Sequence, residues 1–86
     1  MSRSLRVIGK EIAKLWKPNK LGFRNDGGYI EALSDNYFPD TPDQMFISER
    51  AGDIVERFLD NASSWKGEDA RRIKQELRDI LATYKS

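Results

Sequence analysis

The 86-residue sequence predicts a mainly α fold: a small three-helix domain with an irregular or short β-hairpin insertion between helices 1 and 2. Three observations carry this expectation. Apolar residues recur with helical period near the start, in the middle and at the end of the chain. Residues 19–40 lack that period and are dense in turn formers. Thr41-Pro42-Asp43-Gln44 is a helix-start signal: a capping threonine, a proline suited to the first turn, and a glutamine that completes a capping box.

The first helix is expected over 4–16. Leu5, Ile8, Ile12, Leu15 and Trp16 share one arc of about 100°, the width of a core-facing stripe. Arg3, Arg6, Lys10, Lys14 and Lys17 lie roughly opposite. Gly9 either weakens the helix or permits a close crossing, and Pro18 ends it. Asn25-Asp26-Gly27-Gly28 is a strong turn, separating 21–24 from 29–33 as arms of a short hairpin or simple loop. The second helix follows the capping box, with Ile47, Ala51, Ile54, Val55, Phe58 and Ala62 as its buried stripe. A break near 49–52 is expected at Gly52. The last helix covers 68–84, with Ala70, Ile73, Leu77, Ile80, Leu81 and Tyr84 on its apolar side and Arg72 four residues before Glu76.

One modest core is what this length allows, and residues 1–86 are read as a single small helical domain. The chain has 38% hydrophobic and 34% charged residues, with a formal net charge of +1. That near-neutrality hides a separation. Residues 1–24 carry seven basic side chains against one acidic, residues 25–60 nine acidic against two basic, and residues 61–86 six basic against four acidic. Such segregation steers a charged partner or holds the chain's own segments together.

Cysteine and histidine are both absent. Thiolate chemistry and disulfides are thereby excluded, as is the usual neutral-pH acid–base. The paired carboxylates Asp40/Asp43 and Asp53/Glu56 read as a solvated acidic face. Asp35, Asn36, Asp40 and Asp43 lack the spacing of a calcium loop, and Gly27-Gly28 lacks the surroundings of a phosphate loop. No catalytic, cofactor-binding or metal-binding residue is nominated, and no small-molecule substrate is expected. The expected role is non-enzymatic.

Two surfaces remain. A protein partner is expected at an acidic aromatic surface formed by Tyr29, Glu31, Asp35, Tyr37, Phe38, Asp40 and Asp43, the protein acting as an adaptor, inhibitor or small subunit. The alternative is a nucleic-acid-binding regulatory protein contacting phosphates through Arg3, Arg6, Lys10, Lys14 and Lys17 of the first helix, or Arg71, Arg72, Lys74 and Arg78 of the last. A homodimer is a further option, since it would enlarge a small core. A membrane partner is not expected: there is no apolar run of about 18 residues, and the core needs the first helix's apolar arc. The start lacks a continuous apolar leader-like region, which together with the absence of cysteine favours the cytoplasm.

Overall fold

The computed structural model describes residues 3–85. Among them, four helices and one antiparallel hairpin follow in the order α1 (Leu5–Leu15), α2 (Tyr29–Leu33), β1 (Met45–Phe46), β2 (Glu49–Arg50), α3 (Ala51–Asn61) and α4 (Glu68–Lys85). The mainly helical class stands. Two details are corrected: there are four helices rather than three, and the hairpin lies between α2 and α3.

α1 starts where the sequence places it. Ser4 Oγ accepts the Arg6 N–H at 3.2 Å, satisfying one of the donors a helix start leaves unpaired. At the other end Trp16 leaves helical dihedrals, two residues before Pro18. Arg24 then folds back, its guanidinium donating to the carbonyls of Trp16 and Ala13, a cationic close to the last turn.

The expected hairpin arm 29–33 is instead the short helix α2. Asp26 is the reason: its buried carboxylate accepts the N–H of Gly28 at 3.2 Å through Oδ1 and that of Ile30 at 2.8 Å through Oδ2. Gly27 and Gly28, at φ +70° and +85°, bring the chain round to make those bonds. Five residues cannot hold a helix alone, and Ile30 and Leu33 secure α2 by burial. Gly9 lets the α1 backbone cross directly on Leu33, so the close-crossing option for this glycine is the one realised.

Only the glutamine half of the capping box forms, and it starts no helix: the Thr41 hydroxyl donates to Asp43 Oδ1, and the Gln44 N–H donates to the Thr41 carbonyl. Gln44 Oε1 accepts the N–H groups of Asp40 and Thr41 at 3.2 and 3.3 Å, closing a turn. β1 and β2 follow, paired Met45 with Arg50 and Phe46 with Glu49. α3 begins only at Ala51, at the expected break. The N–H groups of Ala51 and Gly52 donate to the carbonyls of Gln44 and Pro42 at 2.8 and 2.9 Å, so the turn and hairpin satisfy donors at the start of α3. Ile47 therefore sits at the hairpin tip and not in the α3 stripe.

The other stripe residues are buried as their spacing implies: Ala51, Ile54, Val55, Phe58 and Ala62 from the middle segment, and Ala70, Ile73, Leu77, Ile80 and Leu81 from α4. Leu15 and Tyr84 lie at the margins and are exposed. Trp16 and Trp65 stack at 5.5 Å, and Trp16 meets Phe58 edge-on at 6.1 Å. α1 and α4 run antiparallel: Arg3 meets Glu76, Glu11 meets Arg72, and Trp16 meets Trp65. One end of the molecule thus gathers the end of α1, the 19–24 turn and the start of α4. The start of α1, the hairpin and the end of α4 gather at the other, where Pro42 lies near Gly52, Leu81 and Tyr84. No helix among the described residues is long and apolar enough to cross a membrane.

Candidate functional site

Folding divides the basic side chains into two groups. Arg3 donates to Glu76 through Nε at 2.9 Å and Nη2 at 2.6 Å, and Nη2 also lies 2.7 Å from Glu11 Oε1. Arg72 reaches Glu11 and Asp69, both at 3.4 Å. The Arg72–Glu76 pairing suggested by spacing thus gives way to longer-range partners for both. Arg6 contacts Asp40 at 3.5 Å and the Asn36 carbonyl, and Lys10 donates to Asn36 Oδ1. Lys74 donates to the Trp65 carbonyl at 2.6 Å. Burial pushes the Lys74 ammonium below its ordinary pKa, and the neighbouring charges of Arg78 and Lys66 add to this. By contrast Lys14, Lys17, Lys20, Lys66 and Arg71 are exposed, and none has a carboxylate within ion-pair distance among the described residues. Arg78 lines an open groove with Glu56 and Asp60 between α3 and α4.

The Arg3–Glu11–Glu76–Arg72 network ties α1 to α4. Arg3 holds the Glu11 carboxyl below the usual range, burial opposes this, and Arg72 reinforces it. A carboxyl whose pKa falls on folding stabilises fully above its unfolded value and loses that contribution as pH falls through its folded value. Arg3→Met should therefore shrink the stability lost on acidification, read as urea midpoints compared between neutral and acidic pH. Equal losses in the two proteins would exclude a role for this pair.

The acidic set is also divided. Phe38 is buried against Phe46, ring centroids 5.1 Å apart, so it faces the core and presents nothing to a partner. Tyr29 is half-buried and packs on the core. Asp40 is taken up by Ser4 and Arg6. Asp35 accepts the Tyr37 N–H at 2.8 Å and Asp43 the Thr41 hydroxyl at 2.6 Å. Neither carboxylate has an ion-pair partner among the described residues. Tyr37 is 88% exposed, and Glu31 is exposed as well.

The structure adds residues that spacing did not nominate. Ile47 is 89% and Met45 59% exposed at the hairpin. Phe38, buried, and Phe46, half-buried, pack ring to ring, and Tyr37, Met45 and Ile47 are their chain neighbours. Ile47 has φ +60°, the only non-glycine positive value among the described residues. A β-branched side chain is a genuine outlier there. Asp43 and Asp53 line a depression with Pro42, Arg50 and Glu56 beside the start of α3. Leu21 and Phe23, 81% and 67% exposed, crown the turn at the cationic end.

Among the described residues no group of three or more carboxylates is arranged to hold a metal ion. Comparison with known proteins gave no matching family model, no matching curated protein and no matching solved structure, so the fold and its surfaces alone carry the functional reading.

Proposed function

We propose that this chain is a non-enzymatic protein-interaction module, an adaptor, inhibitor or small subunit, that docks a basic protein through its hairpin end. Ile47, Met45 and Tyr37 are the apolar anchors, and Asp35, Asp43 and Asp53 supply the surrounding negative charge. The cysteine-free composition favours action in the cytoplasm.

Ile47 is the observation that carries this reading. Its side chain is almost wholly exposed, so it contributes little burial, and its left-handed backbone costs about 1–2 kcal/mol relative to the ordinary helical region. Folding does not account for an isoleucine at this position. Strained backbone and uncovered apolar surface together are what a binding tip displays.

Nucleic-acid binding through α1 or α4 has less support. Arg3, Arg6, Lys10, Arg72 and Lys74 are engaged within the chain and would have to leave those partners to reach phosphates.

The test uses opposite signs. Ile47→Gly should raise stability by about 1 kcal/mol while weakening the partner at least tenfold, an anchor's share of affinity. The partner is recovered by photo-crosslinking from position 45, then titrated against both proteins. Unchanged affinity after Ile47→Gly, and after Asp35, Asp43 and Asp53 are changed together to asparagine, would remove the hairpin end as the docking face.

A further inference from the structure

The end opposite the hairpin carries a second surface of different chemistry. Here the chain turns back after α1, and residue 19 organises the turn. Asn19 Oδ1 accepts the N–H of Leu21 at 2.9 Å and of Phe23 at 3.1 Å. The Gly22 N–H donates to the Asn19 carbonyl at 2.9 Å, and the Asn19 N–H to the Phe23 carbonyl at 2.7 Å. Gly22 takes φ +85°, which a glycine adopts without strain. Arg24 fastens the turn to the end of α1. The result is an ordered tip whose two large apolar side chains, Leu21 and Phe23, point away from the core.

Around this tip stand cations with no ion-pair partner among the described residues. Lys14, Lys17 and Lys20 flank it along the chain, and the Trp16–Trp65 stack brings Lys66 to the same end. Leu15, partly exposed on the last turn of α1, extends the apolar area. Asp26 and Glu31 both line a groove shared with Phe23 and Arg24. The Asp26 carboxylate is buried and accepts the N–H groups of Gly28 and Ile30, which leaves Glu31 as the exposed acidic group of that groove.

We propose that this end is a peripheral membrane-docking tip, in which Leu21 and Phe23 enter the interface of an anionic bilayer and the lysines contact its headgroups. Leu5, Ile8, Ile12 and Trp16 of α1's apolar arc are used by the core and only Leu15 is exposed, so the main inserting groups come from the turn instead. Three features select lipid. The cations complement a negatively charged leaflet. Entry of the tip into a poorly hydrated region is eased because N–H groups of residues 19, 21, 22 and 23 are already bonded within the turn. Of the two exposed apolar side chains only Phe23 offers an aromatic face, whereas single-stranded nucleic acid is held by successive bases stacked on several such faces. The lysine stems are long enough to keep the ammonium groups at headgroup level while the tip inserts.

The experiment is co-sedimentation of the full chain with phosphatidylcholine vesicles, with and without about 30% phosphatidylserine. Binding is expected to the anionic vesicles and to be weak or absent with the neutral ones. Lys17→Glu with Lys20→Glu should reduce it more than about 25-fold, roughly fivefold for each lysine removed. Leu21→Ser with Phe23→Ser, which leaves every charge in place and alters exposed side chains, should reduce it about tenfold or more. Ile47→Gly, at the other end, should leave it unchanged. Equal binding to neutral and anionic vesicles, no binding to either, or full binding by the Leu21/Phe23 variant would each overturn the proposal. So would complete competition by soluble glycerophosphoserine, which marks a headgroup pocket, or tighter binding to a single-stranded oligonucleotide than to the vesicles.

Discussion

Gly9→Ala is expected to destabilise the protein by about 3 kcal/mol or more, although alanine is the better helix former. The substitution gains about 1 kcal/mol of helix propensity in α1. Against this, the added methyl would land on the carbonyl group of Leu33, with the Leu33 side chain at its edge. The obstruction is backbone, which no rotamer change can relieve, so α1 and α2 must separate. Separation uncovers Ile8, Ile12, Ile30 and Leu33, all of which are buried. Overpacking alone costs about 1–3 kcal/mol and sometimes more, and lost burial adds to it. A chain of this size has a reserve of the order of 5 kcal/mol. Urea unfolding should therefore show a much lower midpoint, and Gly9→Ser should behave alike. A midpoint at or above that of the wild type would mean that α1 and α2 do not cross at this glycine.

Much of the helical framework is legible in the sequence, because α1, α3 and α4 each bury one periodic stripe against a common core. The middle is harder for specific reasons. At five residues, α2 is too short to show a period, and its organising group, the buried carboxylate of Asp26, also reads as an ordinary turn residue. The hairpin lacks the Asn-Gly or Gly-X signature expected of a two-residue turn; Ile47-Ser48 looks instead like the continuation of a helical stripe. Of the capping box, Gln44 accepts the Thr41 N–H while the Thr41 hydroxyl turns to Asp43; both bonds fit a turn, so the motif alone could not fix what followed it.

The surfaces were less legible than the fold. Nothing local separates Lys10 from Lys14, or Arg72 from Arg71. Their fates are decided by groups distant in the chain: Asn36 for Lys10 and Glu11 for Arg72. The segregation of charge along the sequence consequently serves two ends. Part of it joins α1 to α4 and to the 36–40 segment, and Arg57 pairs with Glu49. Lys14, Lys17, Lys20 and Lys66 at one end, and Asp35 and Asp43 toward the other, have no ion-pair partner among the described residues. Leu21, Phe23 and Ile47 show the same limit for apolar residues, since pattern marks them as hydrophobic but tertiary structure leaves them outside.

Adjacent aromatic residues, Tyr37 and Phe38, should respond to substitution in opposite ways. Phe38→Ala removes a ring that is 1% exposed and packed on Phe46. Truncating a buried phenylalanine costs about 3–5 kcal/mol through lost transfer energy and the cavity left behind. Against a reserve of the order of 5 kcal/mol, the variant should be largely unfolded or close to it, with loss of helical circular dichroism on mild warming. Tyr37→Ala removes an almost fully exposed side chain, and its stability should stay within about 0.5 kcal/mol of the wild type. Its effect should appear instead in binding to the proposed basic partner, with affinity lowered while the urea midpoint is unchanged. Phe38→Leu keeps part of the buried volume and should fall between wild type and Phe38→Ala in stability. Measured under conditions where it remains folded, it should bind the partner normally if the proposed surface is right, because Phe38 is buried beneath it. A folded Phe38→Leu protein with impaired binding, alongside a Tyr37→Ala protein with intact binding, would assign the contact to the other side of this segment and reject the anchors proposed for the hairpin end.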